Sequence, residues 1–433
     1  MQVKGKESTA TIASPGAACS FCDSGSMVEI IDFGDVALAG GFLTADEFEG
    51  EKKFRLTLYF CQTCYAMQVR DVVEPSILFE NYFYFSSAIR SLKEHFVDYA
   101  TEVVSRFLDP AKATVVEIGC NDGILLKPIA DQGVRTVIGV DPATNIVQAI
   151  DDERVTVVND FFSRELAVDL VGKHGRADMI VANNVYAHIP DIQGVTAGIC
   201  DLLKGDGIFI FEVHYLGKIV HGIQYDMIYH EHMYYYCLLA LANHFARFGM
   251  TIFDVKPISI HGGSMRYYVC KQGSKYAGQI SPRVSLLQSE ELSHGFNKAE
   301  TFTRFASAVA DRKARLMSLL ARLKEHGRSV AGYGASGRAN TIMQYCGIGR
   351  EHLLYMIDDA PAKAGFYTPG SHLPIRSNAA LVDTRPDYLL VFAWTYFNEI
   401  AEKCRDYLDG GGALITPLPD VRLVLHPVHD GIL

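Results

Sequence analysis

Val115-Val116-Glu117-Ile118-Gly119-Cys120-Asn121-Asp122-Gly123 is the stretch that decides the fold. Val115 to Ile118 form an apolar strand that runs straight into a turn with glycines at 119 and 123, and Ile124 to Ala130 then reads as the start of a helix. Strands of the same kind recur downstream. Val137-Ile138-Gly139-Val140 ends on Asp141, Met179-Ile180-Val181-Ala182 on Asn183-Asn184, and Ile208-Phe209-Ile210-Phe211 on Glu212. Apolar strands that each stop at a polar residue, alternating with helices, predict an α/β fold with a doubly wound parallel sheet. Its ligands gather at the carboxyl ends of the strands. Upstream, Leu92, Phe96, Tyr99, Val103 and Phe107 fall three and four apart, which predicts an amphipathic helix over 87–108.

The loop chemistry narrows the cofactor. A dinucleotide site would place G-x-G-x-x-G here, with the middle glycine admitting a pyrophosphate. This chain has Glu-x-Gly-x-x-x-Gly instead, which suits an amino and carboxylate head group, and Asp141 is placed to accept hydrogen bonds from ribose hydroxyls. The arrangement resembles the class I S-adenosylmethionine methyltransferases, a Rossmann-like fold, and a nicotinamide cofactor is the alternative left open. The resemblance implies a cofactor site built from Glu117, Gly119, Asn121, Gly123 and Asp141. Asp160 and Phe161, after the strand-like 155–158, would meet the adenine, and Asn183 and His188 would stand at the mouth. His188 also reads as a turn histidine beside Pro190.

Four of the ten cysteines form two Cys-x-x-Cys pairs, Cys19/Cys22 and Cys61/Cys64. Each lies beside a strand-like stretch, 28–34 or 54–60, so a small β-rich module is expected. Thiolates three apart suit a knuckle that offers two ligands to a tetrahedral zinc ion. A site of four cysteines is closed, hence structural. Unrelated buried thiols and a redox pair are the alternatives. The other six cysteines are scattered through apolar segments, as in a reducing compartment.

The densest group of aromatic and titratable residues is 225–236, Tyr-Asp-Met-Ile-Tyr-His-Glu-His-Met-Tyr-Tyr-Tyr. It follows the strand ending at Glu212 and so emerges at the carboxyl edge of the sheet. The spacing of a zinc hydrolase, His-Glu-x-x-His, is absent. Alternation by two would put His230 and His232 on one side of a strand, which keeps metal ligation among the readings beside aromatic packing. Acid–base chemistry is favoured, since a histidine takes a proton near neutral pH while a carboxylate orients it. Further on, a charged helix over 301–327 precedes a second strand, glycine loop and helix start, Ser329-Val330-Ala331-Gly332-Tyr333-Gly334-Ala335-Ser336-Gly337-Arg338. With the acidic strand end at Asp358-Asp359, this loop mimics a dinucleotide site. Its glycines would also let backbone N–H groups approach an anion.

From Cys19 onward the chain resembles the sugar C-methyltransferases of deoxysugar and antibiotic biosynthesis. The resemblance rests on the four cysteines, Tyr82-Phe83-Tyr84-Phe85-Ser86-Ser87, the 117–123 loop, Tyr229-His230-Glu231-His232, His261-Gly262-Gly263-Ser264 and Gly332-Tyr333-Gly334-Ala335. It implies a zinc module over 1–75, a methyltransferase domain over 76–300 and an α/β nucleotide-sugar domain over 301–433. The implied reaction is methylation of a carbon next to the ketone of a nucleotide-linked 4-keto-deoxysugar. His232 would be the base, with Tyr229, Glu231 and Tyr82 completing the catalytic set. Tyr84, Ser86, His261, Gly334, Ser336 and Arg338 would meet the substrate. Relatives carry a lysine-containing stretch after the second glycine loop, where this chain has Ser336-Gly337-Arg338-Ala339-Asn340. Methylation of a sugar oxygen or nitrogen, and a nicotinamide-dependent sugar oxidoreductase or epimerase, are the rival activities.

Composition bounds these readings. The 433 residues suggest roughly three domains, and 49% hydrophobic with 21% charged residues describes a globular chain. A net charge of −10 argues against non-specific nucleic-acid binding. No apolar run is long enough to span a membrane, and Met1 to Pro15 lacks the apolar centre of a signal peptide. A cytoplasmic monomer is expected.

Overall fold

In the computed structural model, which describes residues 18–79, 86–88 and 90–424, three sheets follow one another along the chain. The first begins as an antiparallel meander of β1 (Met27–Ala37), β2 (Lys53–Cys61) and β3 (Met67–Val69). The Cys61–Cys64 pair makes the turn between β2 and β3, with Tyr65 N–H donating to the Cys61 carbonyl at 2.9 Å.

The central sheet opens with β4 (Thr114–Ile118), β5 (Thr136–Val140), β6 (Val155–Val158), β7 (Ala177–Asn183) and β8 (Leu203–His214), all parallel. β4 is buried throughout, as expected of a parallel strand covered on both faces. The helix Arg90–Phe107 lies where the apolar spacing put it, with Leu92, Phe96, Tyr99 and Val103 buried. After β8 the chain leaves this sheet. Tyr234–Tyr235 form β9, which pairs with β3 and completes the first sheet. The first module therefore takes its fourth strand from far outside the 1–75 segment. β10 (Met250–Ile258) and β11 (Ser264–Lys271) then return antiparallel to the central sheet, giving the order β10-β11-β8-β7-β4-β5-β6. Strand order reverses between β4 and β7, so the crevice for a ligand opens outside Glu117–Gly119 and Asn183.

The long helix Ala299–Glu325 leads into the third sheet: β12 (Val330–Tyr333), β13 (Met356–Ile357), β14 (Ile375–Arg376), β15 (Tyr388–Val391), β16 (Ala413–Thr416) and β17 (Arg422–Val424). Its order is β14-β13-β12-β15-β16-β17, parallel except for β17. Strand order here reverses between β12 and β15. The helix Gly337–Cys346 after β12 docks on the N-terminal module: Gln344 exchanges hydrogen bonds with both backbone groups of Ala37, at 2.7 and 3.1 Å, and Asn340 donates to the Ala39 carbonyl at 2.6 Å. Among the described residues no helix is long and apolar enough to cross a membrane.

Candidate active site

The β4 loop is shaped by its glycines. Gly119 has φ +69, and a Cβ there would lie 2.6 Å from Val185, so no other residue fits. Asn121 also sits in the left-handed region at φ 49, and its N–H donates to the Asp141 carboxylate at 2.9 Å. The second Asp141 oxygen takes the Ala143 N–H at 2.9 Å, while burial pushes this carboxyl above its usual range. The loop also seats the chain that precedes the Arg90–Phe107 helix. Ser86 N–H donates to Asn121 Oδ1 and Ser87 N–H to Asp122 Oδ2, each at 3.0 Å.

Glu117 is 2% exposed, and burial pushes its carboxyl well above the carboxylate range. Asn183 reaches one Glu117 oxygen at 3.4 Å. Glu117 Oε2, Asp122 Oδ1, Asn183 Oδ1 and Asn184 Oδ1 are buried without a hydrogen-bond partner among the described residues. Stranded acceptors cost free energy unless a ligand donates to them. Glu117 and Asn183 stand together at the strand ends beside the crevice, and their open acceptors fit a donor-rich head group such as the ammonium of S-adenosylmethionine. Phe161 is 39% exposed after β6, and the exposed Asp160 beside it accepts the Phe161 N–H, so both side chains remain available to a ligand.

Residues 229–233 form a turn, not the strand that would put His230 and His232 on one side. The turn separates them. His230 faces the N-terminal module, with Nε2 3.0 Å from the Arg55 carbonyl. His232 faces the crevice with His188, whose ring centroid lies 5.0 Å away. His232 Nδ1 lies 2.8 Å from the Met227 carbonyl, which can only accept, so Nδ1 carries the proton. Nε2 then offers its lone pair, which takes the Tyr229 hydroxyl proton at 2.9 Å. Burial pulls His188 down to about 4, keeping it neutral in this cluster. Burial also raises the Glu231 carboxyl to about 7, against an N–H bond from Gly40. The motifs in the sequence do not single out His214, whose ring lies 5.4 Å from His232. It stands two residues beyond Glu212 on the same strand, so alternation by two is the signal that could have found it.

Tyr82 and Tyr84 lie outside the described residues, as does the His261 side chain. At the third sheet, the polar groups expected to meet substrate are engaged within the protein. Gly334 N–H donates to the Ile357 carbonyl at 2.7 Å, and Ser336 Oγ caps the following helix by accepting from Ala339. Arg338 directs Nε and Nη2 to Asp226, 2.7 Å away, instead of turning its charge outward. Asp226 is wholly buried three residues before Tyr229 and also accepts the Trp394 indole N–H at 2.9 Å. The glycine run does not leave a dinucleotide loop open. A Cβ at Gly332 would sit 2.1 Å from Met356, and one at Gly334 2.7 Å from Ala393. Packing explains both glycines. Another element brings a cation to this loop: Lys363 Nζ donates to the Ala335 carbonyl at 2.7 Å and pairs with Asp358 at 3.0 Å.

The four cysteine sulfurs of 19, 22, 61 and 64 lie within 4.8 Å of one another. Cys19 to Cys64 and Cys22 to Cys61 are both 3.6 Å. A tetrahedral zinc with bonds of about 2.3 Å has edges near 3.8 Å, so the set fits that ion. Gln68 Nε2 and the Phe21 N–H point at Cys19 Sγ, at 3.0 and 3.4 Å, as donors to a ligating thiolate. Gln68 and Val69 connect this cluster to the 229–233 turn, for Val69 N–H donates to the Met233 carbonyl at 2.8 Å.

Three family models match in succession: a zinc binding domain over residues 19–79, a methyltransferase domain over 92–255 and a C-methyltransferase C-terminal domain over 259–419. C-methyltransferase NovU of Streptomyces niveus is 32% identical over 414 residues, covering 95% of this chain and 98% of that protein. A ubiquinone biosynthesis O-methyltransferase of Methylobacterium sp. (strain 4-46) is 35% identical over 23% of this chain and 40% of its own length. Among solved structures, magnesium protoporphyrin IX methyltransferase from Synechocystis PCC 6803 with bound S-adenosylmethionine aligns at a TM-score of 0.32 and 14% identity, over 41% of this chain and 79% of that one.

Proposed function

Because the chain belongs to the family of S-adenosylmethionine-dependent sugar C-methyltransferases, we propose that it methylates the carbon next to the ketone of a nucleotide-linked 4-keto-deoxysugar. The observation that carries this reading is the fixed tautomer of His232, whose Nε2 lone pair sits with Tyr229 at the carboxyl edge of the sheet. A sugar carbon becomes nucleophilic only when its proton is removed and the electron pair passes to the adjacent carbonyl oxygen. His232 Nε2 takes that proton, and the C–H electrons become the enolate. In the free protein the Tyr229 hydroxyl occupies the same lone pair. Turning to the substrate oxygen, it frees the base and donates to the developing enolate in one movement. Neutral His188 adds no competing positive charge, and Glu231 holds the turn against Gly40. S-adenosylmethionine, when bound, supplies an electrophilic methyl group. Glu117, Asn183 and the loop from Gly119 to Gly123, with Asp141, would hold it, and Asp160 and Phe161 would border its adenine. On the far side, the Ser336 hydroxyl proton is a donor for the substrate, and Arg338 acts through Asp226 to hold the 229–233 turn.

The test is product analysis by mass spectrometry and carbon NMR, with S-adenosylmethionine and a panel of nucleotide-linked 4-keto-deoxysugars. A new methyl on a ring carbon beside the ketone supports the reading. A methyl on oxygen or nitrogen contradicts it.

A further inference from the structure

The two Cys-x-x-Cys pairs turn through the same spacing but treat their middle residues differently. At the second pair Gln62 and Thr63 are both exposed, so the turn itself asks nothing of them. At the first pair Phe21 is only 1% exposed. Its ring meets those of Tyr234, Tyr236 and His244 edge-on, at 5.0, 5.9 and 4.9 Å between centroids. The central domain grips the same knuckle. Arg247 donates to the Phe21 carbonyl and pairs with Asp23 at 3.2 Å, and Gln193 donates to the Ser20 carbonyl and to Asp23, each at 3.0 Å. Holding a metal explains the thiolates; it does not explain a ring driven into the neighbouring domain.

What the ring supports lies beside the crevice. Tyr234 and Tyr236 present the hydroxyls that bind the loop carrying His188: Tyr236 donates to the Tyr186 carbonyl at 2.9 Å and Tyr234 to the Pro190 carbonyl at 2.7 Å. Between them the Met233 N–H donates to the Ala187 carbonyl at 2.9 Å. His188 is thus held on both flanks by one short run, 233–236, which follows His232 directly and packs on Phe21. The His188 ring in turn stands 5.0 Å from that of His232. We propose that Phe21 is a positioning residue for the His188–His232 pair, transmitting the order of the metal-binding knuckle to the crevice through the Tyr234 and Tyr236 hydroxyls. The consequence for proton removal rests on the keto-sugar reading above; the placement of His188 does not. Phe21 touches no substrate and so acts on rate rather than on binding, because a displacement of about 1 Å at a reacting group can cost roughly a hundredfold.

The test compares full-length wild type with Phe21→Ala, Phe21→Leu and the double variant Tyr234→Phe/Tyr236→Phe, which keeps both rings against Phe21 and removes only the two hydroxyls. All four proteins should carry about one zinc ion per chain and bind S-adenosylhomocysteine within a few-fold of one another by calorimetry, which also shows that they fold. Imidazole NMR of histidine-labelled protein, with the His188 signal assigned by His188→Gln, should show that signal displaced in Phe21→Ala and in the double variant. Deuterium wash-in to a keto-sugar nucleotide, with S-adenosylhomocysteine bound, should slow roughly ten- to a hundredfold in the same two proteins at saturating sugar, with half-saturation unchanged. Phe21→Leu refills most of the volume and should recover most of that rate. Wild-type wash-in in zinc-bearing Phe21→Ala, or an unmoved His188 signal, would overturn the proposal. Should that variant lose its metal, the double variant decides alone by the same two readouts. A wild type without wash-in would contradict the keto-sugar reading instead, and the NMR arm would still decide the placement of His188.

Discussion

Tyr229→Phe isolates the hydroxyl that caps the base. The ring stays, so its contacts with His232, at 4.1 Å between centroids, and with the start of the Gly337–Cys346 helix are kept. What disappears is one hydrogen bond of 2.9 Å to Nε2 in the free protein and, in the transition state, one donor to an oxygen gaining negative charge. The first loss is a neutral bond worth about 1 kcal/mol, and the melting temperature should barely move. The second is a bond to a charged acceptor, about 1.5–3 kcal/mol, and each 1.36 kcal/mol is tenfold in rate, so kcat should fall roughly 10- to 150-fold. KM should change little, because a ground-state ketone is a weak acceptor. The assay is initial-rate methyl transfer over a range of keto-sugar concentrations, with thermal unfolding alongside. A variant with wild-type kcat and a tenfold higher KM would refute the reasoning, since Tyr229 would then bind ground and transition states alike.

Three further outcomes follow from the geometry. Asp226→Ala leaves Arg338 facing an apolar gap with its side chain only 19% exposed, and should cost on the order of 3 kcal/mol, much of it recovered by adding Arg338→Met; thermal unfolding of both proteins checks this. Cys61→Ser should release the zinc that the wild type binds at about one ion per chain. It should expose 18–79 to limited proteolysis while S-adenosylmethionine affinity, measured by calorimetry, stays within a few-fold. Glu231 has a folded pKa of about 7, above its unfolded value of about 4.5, so the native state holds its proton more tightly. The stability this contributes is complete below about 4.5 and is lost as pH rises through about 7. Denaturant unfolding at pH 5 and pH 8 should show that loss, and Glu231→Gln should remove this part of the slope.

The parallel strands were legible because strands buried on both faces must be nearly continuous apolar runs, and 115–118, 137–140, 179–182 and 208–211 are such runs. β11 was not. It is buried almost end to end but carries Arg266 in its middle, a residue that argues against burial until its partner is known. That partner is Glu212 on the neighbouring strand, 2.6 Å away, itself bonded to His95 at 2.8 Å; burial opposes its ionisation, but His95 and Arg266 hold it below its usual range. The cysteine pairs and the β4 loop could be read because the chemistry of each lies in a few consecutive residues. The joints between domains could not. Asp226 meets Arg338 across 112 positions and Trp394 across 168, and no local pattern encodes such pairings. The 229–233 turn was half legible: its aromatic and titratable residue types are plain in the sequence. Its division, with His230 facing the first module and His232 facing the crevice, depends on β9 joining a sheet begun some 200 positions earlier.

The central claim is that His232 removes a proton from the carbon that is methylated. Incubating the protein with a keto-sugar nucleotide and S-adenosylhomocysteine in deuterated water separates that step from methyl transfer, and mass spectrometry of recovered substrate reads it. Deuterium should enter beside the ketone with the wild-type protein and be lost with His232→Asn, while the variant still binds S-adenosylhomocysteine. Wash-in at the wild-type rate in His232→Asn would contradict the account.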